Sequence, residues 1–223
     1  MDISKFNEWF DPSKCRSAIH IIGCGASGSA IAELLVRMGL TKFVLYDFDI
    51  VEAHNIANQM FSNDDINKPK TEALAAIMRG INPDVEIRTE GKYENQMLEG
   101  YVFLAIDSIE ATRKIVEDNM YNLNIIAMFN TRLSLLDAQS YAARWDNYKE
   151  KESFLASMNF TDEEARANTP VSACQMELGV APTVRLICTL TVANFINLLK
   201  KDFDRYKTII LLQDAFGCLV AGI

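Results

Sequence analysis

Basic residues are in short supply: 22 lysines and arginines face 30 aspartates and glutamates in 223 residues, for a formal net charge of −8 and a pI near 4.9. Nucleic-acid-binding domains need a basic footprint and anionic membranes attract basic segments, so neither is an expected partner. Histidines are scarce too. His20 and His54 lie far apart, and the five cysteines (Cys15, Cys24, Cys174, Cys188 and Cys218) are scattered with no C-x-x-C pair. That excludes the usual zinc framework and suits reduced thiols in the cytoplasm. The N-terminal stretch lacks the apolar centre of a signal peptide. The apolar stretches at 186–193 and 209–212 are too short to cross a bilayer, so a soluble cytoplasmic protein is expected. Repeats and low-complexity tracts are absent. What is present is an ordinary globular composition, 49% hydrophobic and 23% charged, long enough to bury a core and compatible with a single domain over 1–223.

Residues 18–22, AIHII, read as a buried parallel strand. They run into Gly23-Cys24-Gly25-Ala26-Ser27-Gly28 and then SAIAELLVRMG, where Ile31, Leu34, Leu35 and Met38 have helical spacing and Gly39 is a stop. Residues 42–46, KFVLY, form a second strand tipped by Asp47-Phe48-Asp49. This is a βαβ unit of the dinucleotide-fold type. Residues 51–67 read as a polar loop, 70–79 as a helix, Asn82-Pro83-Asp84 as a turn and 85–88 as a strand. A buried strand at 101–106 ends at Asp107; a helix at 111–121 and strands at 124–128 and 139–143 follow. The charged stretch 146–169 reads as an exposed, partly helical excursion. An apolar helix at 181–201 starts near Pro182 and ends in lysines, and a strand at 208–212 pairs with 216–221. The expected fold is an α/β, Rossmann-like three-layer sandwich with a mostly parallel sheet and a small antiparallel C-terminal extension.

The turn matches G-x-G-x-x-G in its strand-turn-helix context. Gly23 permits the tight turn, Gly25 lets backbone approach phosphate and Gly28 lets helix and strand pack closely. Free N–H groups at the helix start attract phosphate oxygens. Asp47, 19 residues after Gly28, can accept hydrogen bonds from ribose hydroxyls, which suits NAD and ATP equally. None of the seven tyrosines has a lysine four residues on, so the Y-x-x-x-K signature of short-chain dehydrogenases is missing and the redox reading is weakened.

The stretch Asp47 to Lys70, DFDIVEAHNIANQMFSNDDINKPK, is more specific. With the glycine turn it resembles the ThiF/MoeB/HesA adenylation domain of the E1-like, ubiquitin-activating enzymes, whose pattern is G-x-G-G-x-G-S, D-x-D-x-V-x-x-x-N-L-x-R-Q, G-x-x-K, and then a strand ending in D followed by x-x-x-x-R. Gly23, Gly25, Gly28, Ser29, Asp47, Asp49, Val51, Asn55, Gln59, Lys70, Asp107 and Arg113 match it. The Asn82-Pro83 turn fits as well, and Glu177-Leu178-Gly179-Val180-Ala181-Pro182 is similar to the family's G-V-x-x-P approach to its last long helix. The resemblance covers about residues 18–130 well.

It implies an ATP- and Mg²⁺-dependent adenylyltransferase that activates the C-terminal carboxylate of a small ubiquitin-like or sulfur-carrier protein, working as a homodimer. Lys70 would stabilise charge on the leaving pyrophosphate and Asp107 would hold Mg²⁺. Asp47 would bind ribose, Asn55 and Gln59 would orient phosphates, and Asp49 would fix the loop or act electrostatically. Gly23, Gly25, Ala26, Gly28, Asn58 and Ser108 would complete the nucleotide contacts. Cys174, in S-A-C-Q before the last helix, is the candidate thiol acceptor of the acyl group; the competing reading is a small packing residue. His20 reads as a core histidine and His54 as a loop residue beside the nucleotide. The chain departs from the pattern at Asn58, where the family has arginine, at Asn67, where it has glycine, and at Ala26 in the turn. Asparagine does not replace a bidentate guanidinium. Arg16, the one arginine near the N-terminus, Arg113 and Arg132 are the other candidate suppliers of a cation. The loss at Asn58 keeps open a non-catalytic ATP- or AMP-binding interaction module on the same fold.

Overall fold

Four successive buried residues make β1, Ile19–Ile22. Ile19 and Ile21 face one apolar core and Ile22 the other, which is why the strand carries no polar alternation. The computed structural model describes residues 1–167, 170, 178–217 and 219–223. The remaining strands are β2 Lys42–Tyr46, β3 Glu86–Glu90, β4 Gly100–Leu104, β5 Ile125–Leu133, β6 Ala138–Arg144, β7 Ile209–Gln213 and β8 Leu219–Gly222. They form an eight-stranded sheet in the order β3-β2-β1-β4-β5-β6-β7-β8. Neighbours from β3 through β5 are parallel, and β6, β7 and β8 add on antiparallel.

The helices are α1 Ala26–Arg37, α2 Lys70–Ile81, α3 Ile109–Asp118, α4 Tyr148–Ala156, α5 Asp162–Ala167 and α6 Ala181–Leu199. α1 packs between α2 and α6 on one face, and α3 packs with α4 and α5 on the other, giving the expected three layers. A cluster of stacked and edge-on rings, Phe103, Phe129, Phe195 and Tyr101, joins α6 to the sheet. α6 has the length and apolar composition of a membrane span, the one such helix among the described residues. Two of its polar side chains are nonetheless committed to the fold: the Thr191 hydroxyl bonds Ser140 Oγ at 2.8 Å, and the Asn194 side chain donates to the Lys207 carbonyl and accepts from its N–H.

β5 runs five residues past the expected end at Met128. Beyond Asn130 it pairs with β6 alone, as Thr131↔Ser140 and Arg132↔Gln139. An apolar-run criterion stops at Met128 because the polar residues that follow are stabilised by a hairpin partner. The loop at 51–67 contains two short 3-10 turns, Ala53–Ala57 and Asn63–Asp65. The excursion at 146–169 yields α4 and α5.

The sheet order reverses between β1 and β4, with β2 and β3 to one side and β5 to the other. Open α/β sheets bind ligands at this crevice, outside the carboxyl ends of the strands. The glycine turn after β1, Asp47 after β2 and Asp107 after β4 all lie there.

Candidate functional site

The three glycines of the turn divide by what surrounds them. Gly23 has φ +92°, and a Cβ on it would stand 2.5 Å from the Ala105 carbonyl oxygen. A Cβ on Gly28 would come within 1.8 Å of the Gly23 carbonyl oxygen. Both are therefore required by packing. Gly25 is different: the nearest atom to its missing Cβ is Gln59 Nε2 at 3.9 Å. Gly25 and Ala26 are also the only partly exposed residues between Ile19 and Ala32. Gly25 caps α1 without a side chain, so the first N–H groups of a 12-residue helix are available to an anion. Ser29 ties the helix to the next loop, its Oγ accepting the Met60 N–H at 3.2 Å. Cys24 lies under the turn; burial and then the neighbouring Asp47 push its thiol well above the ordinary value, so it is no nucleophile.

Asp47 links the tip of β2 to this turn. One carboxylate oxygen accepts the Cys24 N–H at 2.6 Å and the other the Asp49 N–H at 2.8 Å. The loop beyond is closed by backbone bonds from Val51 N–H to the Lys68 carbonyl, Asn67 N–H to the Val51 carbonyl and Lys70 N–H to the Asp49 carbonyl. Asn67 sits at φ 69°, a left-handed conformation that asparagine tolerates better than most residues. That explains how it stands where the family pattern has glycine. Asn55 is buried and closes a capping box, its Oδ1 accepting the Glu52 N–H at 2.9 Å. Lys70 begins α2 with its side chain buried and its Nζ 2.7 Å from Asp49 Oδ2. Phe48, Asp49, Ile50, Glu52, Asn55 and Lys70 line an open cleft of about 310 Å³.

Asp107 is exposed at the tip of β4, and no described residue hydrogen-bonds its carboxylate. Magnesium takes one or two carboxylates together with water and phosphate oxygens, so an exposed carboxylate at the carboxyl end of β4, the strand next to β1, suits it. Among the described residues no group of three acidic, histidine or cysteine side chains forms a ready-made metal cage. Ser108 is committed to structure. Its Oγ accepts the Ala111 N–H at 3.0 Å as the N-cap of α3 and donates to Asp162 at 2.7 Å. Asp162 also accepts the Ile109 N–H at 2.7 Å. Partial burial opposes ionisation, but these bonds hold its carboxyl below the ordinary value.

The arginines at 113 and 132 serve the excursion. Arg113 donates to the carbonyls of Met158 and Phe160. Arg132 bonds Asn130 Oδ1 at 2.8 Å and the Ser157 carbonyl at 2.7 Å, with its guanidinium 4.2 Å from the Tyr141 ring centroid. Burial lowers its pKa to about 10. Arg16 is exposed ahead of β1, at the opposite end of that strand from the turn. His54 pairs with Glu52 at 3.2 Å at the cleft rim. His20 is a core residue, hydrogen-bonded to Tyr46 Oη at 3.1 Å, and burial followed by Arg88 lowers its pKa to about 4. Burial raises Cys15 to about 11 and Cys188 to about 12. Cys174 and Cys218 lie outside the described residues.

Two features escaped the sequence reading. Asp162 caps α3 across 54 residues of chain from Ser108; the only local signal was the Thr161/Glu164 pair that starts α5. Arg185 on α6 reaches the Gln59 carbonyl at 3.5 Å. Nothing in the amphipathic spacing of α6 marks it.

Comparison with known proteins adds three findings. The pattern of the ThiF family matches residues 14–214. Ubiquitin-like modifier-activating enzyme 5 of Drosophila melanogaster is 39% identical over 90 residues, which is 40% of this chain and 22% of that protein. Its namesake from Oryza sativa subsp. japonica is 40% identical over 72 residues, 32% and 17% of the respective lengths. Among solved structures, Escherichia coli MccB with ATP overlays at a TM-score of 0.71 and 17% identity, covering 95% of this chain and 65% of that one. PaaA overlays at 0.69 and 18% identity, with 95% and 66% covered. The chain spans less than a quarter of the length of these curated relatives and just under two thirds of the structural neighbours. At these identities the overlays establish a shared fold.

Proposed function

The chain belongs to the ThiF family, and from that premise we propose that it is an E1-like adenylyltransferase that uses ATP to activate the C-terminal carboxylate of a small ubiquitin-like or sulfur-carrier protein. A carboxylate oxygen attacks the α-phosphorus. The bond from that phosphorus to the bridging oxygen breaks, pyrophosphate leaves with the electron pair, and an acyl-adenylate forms. No proton moves, because the nucleophile is already ionised. The observation that carries the reading is Lys70: a buried ammonium, oriented by Asp49 at 2.7 Å, in a cleft that also holds Asn55 and is tied to the glycine turn through Asp47.

The turn would take phosphate oxygens on the α1 N–H groups, with Gly25 giving them room. Lys70 would meet the charge that grows on the leaving group, where a fixed cation counts for most. Asn55 has spent its carbonyl oxygen on the loop, so its amide N–H₂ remains for a phosphate. Asp47 would accept from the ribose while holding the turn in place. Asp107 would hold Mg²⁺, which screens the phosphate charges when bound. MccB has been solved with ATP, and with MccA in other complexes. Those complexes agree with nucleotide binding on this fold. We further propose a cytoplasmic homodimer, in keeping with free cysteines and an acidic surface.

Calorimetry of ATP with Mg²⁺ against NAD⁺ tests the reading. ATP should bind with a micromolar-range Kd, and Lys70→Ala should weaken it about 10- to 100-fold, the worth of a hydrogen bond to a charged group. Asp107→Ala should weaken the Mg²⁺-dependent part alone. Binding indifferent to both substitutions, or preference for NAD⁺, sinks the proposal. ATP binding without pyrophosphate exchange in the presence of carrier proteins would instead favour the interaction module.

A further inference from the structure

The loop that carries Asn55, Asn58 and Gln59 has no arginine, yet a guanidinium reaches it from α6. Arg185 Nη2 lies 3.5 Å from the Gln59 carbonyl oxygen, the outer limit of a hydrogen bond. Its Nη1 is buried and has no hydrogen-bond partner among the described residues. A buried charged donor without an acceptor is costly, so the arrangement calls for an anion that none of the described residues supplies.

Its neighbours fix where that anion would sit. Cys188, three residues on along the same helix face, directs its thiol to the Ser27 carbonyl at 3.6 Å, in the first turn of α1. Gln59 provides the atom nearest the open side of Gly25. The chain leading into α6 passes directly over Asn58, since a Cβ on Gly179 would stand 3.2 Å from Asn58 Nδ2. The first turns of α6 therefore run alongside the glycine turn. Arg113 and Arg132 are held by the excursion, Lys70 lies across the cleft paired with Asp49, and Arg16 lies ahead of β1, at the far end of that strand from the turn.

We infer that Arg185 is a nucleotide-binding residue whose guanidinium takes the β- or γ-phosphate oxygens of ATP, supplying from α6 the planar two-pronged cation that position 58 lacks. The inference rests on the ATP reading above. It makes a prediction which that reading alone does not. AMP has no β- or γ-phosphate, so Arg185 distinguishes ATP from AMP, whereas a residue that merely braces α6 against the loop would affect both alike.

The test is calorimetry of ATP with Mg²⁺, and of AMP, on the whole chain and on Arg185→Ala, Arg185→Lys and Arg185→Ala with Asn58→Arg. Arg185→Ala should weaken ATP about tenfold or more while AMP changes less than about twofold. Arg185→Lys should recover part of the loss, and Asn58→Arg, restoring a guanidinium from the loop side, should recover more. Equal weakening of ATP and AMP together with a lower Tm would overturn the inference in favour of a structural arginine. ATP affinity that falls with Lys70→Ala but not with Arg185→Ala would overturn it while leaving the ATP reading intact. An unaltered chain that binds no ATP would remove both.

Discussion

Gly25 and Gly28 share a motif and differ in what they are for. At Gly28 a methyl group would collide with the Gly23 carbonyl oxygen at 1.8 Å, so α1 could not seat against β1. At Gly25 the same methyl group meets nothing closer than 3.9 Å, so the space above it is open to a ligand. Gly28→Ala should therefore cost about 3 kcal/mol or more, a fall in Tm of roughly 6–12 °C for a chain of this size. Gly25→Ala should leave Tm within about 2 °C and lower ATP affinity. Thermal melts with ATP titrations on both variants check the pair; equal Tm losses would mean that Gly25 too is held by packing. Asn67 supplies a complementary case. It stands where the family pattern has glycine and adopts a left-handed φ of 69°, which asparagine accepts better than most side chains.

Among the elements, the excursion α4–α5 shows how a charged stretch is bound to the body of the fold. Arg113 of α3 donates to the Met158 and Phe160 carbonyls, and Asp162 caps the start of α3. The two helices hold each other. Arg113→Ala leaves buried carbonyls without donors, which costs about 1–3 kcal/mol, and that cost falls on the junction between α4 and α5. Limited proteolysis at neutral pH should then cut within 157–167 several times faster than in the unaltered chain, with cutting elsewhere unchanged. An unchanged cleavage pattern would mean that the excursion is held by the packing of Phe154 and Met158 alone. The Asp162 contribution follows pH with a definite sign. Its folded value lies below the ordinary 3.8, so the stabilisation is complete above that pH and is lost as pH falls through the folded value.

For the whole molecule the open question is assembly. Arg16 is separated from its own glycine turn by the length of β1, so it can contribute to nucleotide binding only at the site of a second copy. Sedimentation should give a mass of about 50 kDa, twice that of one chain, if the assembly is a closed two-fold pair. Mixing Lys70→Ala chains with Arg16→Ala chains should restore part of the pyrophosphate exchange that each lacks alone, because a mixed pair has one site with both cations. A 25 kDa species that retains exchange, or a mixture no better than its components, would show that each chain works alone.

Much of the fold was legible in the sequence because its strands are buried on both faces and read as continuous apolar runs. β1, β2 and the long α6 were located to within a residue or two, and their spacing around the glycine turn fixed a parallel α/β sheet. The placement of the candidate residues was legible too: the turn, Asp47 and Asp107 follow the carboxyl ends of β1, β2 and β4, and Asn55 and Lys70 lie on the loop and helix after β2. What the sequence could not give were pairings made across distance. Ser108, expected at the nucleotide, is bonded to Asp162; Arg132, a candidate cation, and Arg113 hold carbonyls of the excursion; Arg185, which no motif marked, lies against Gln59. Local sequence determines an element because propensity and burial pattern act within a few residues. Which donor meets which acceptor is decided only when α3, α5 and α6 converge on the sheet, and that convergence left Arg185 with a buried donor that no described residue uses, on the helix alongside the glycine turn.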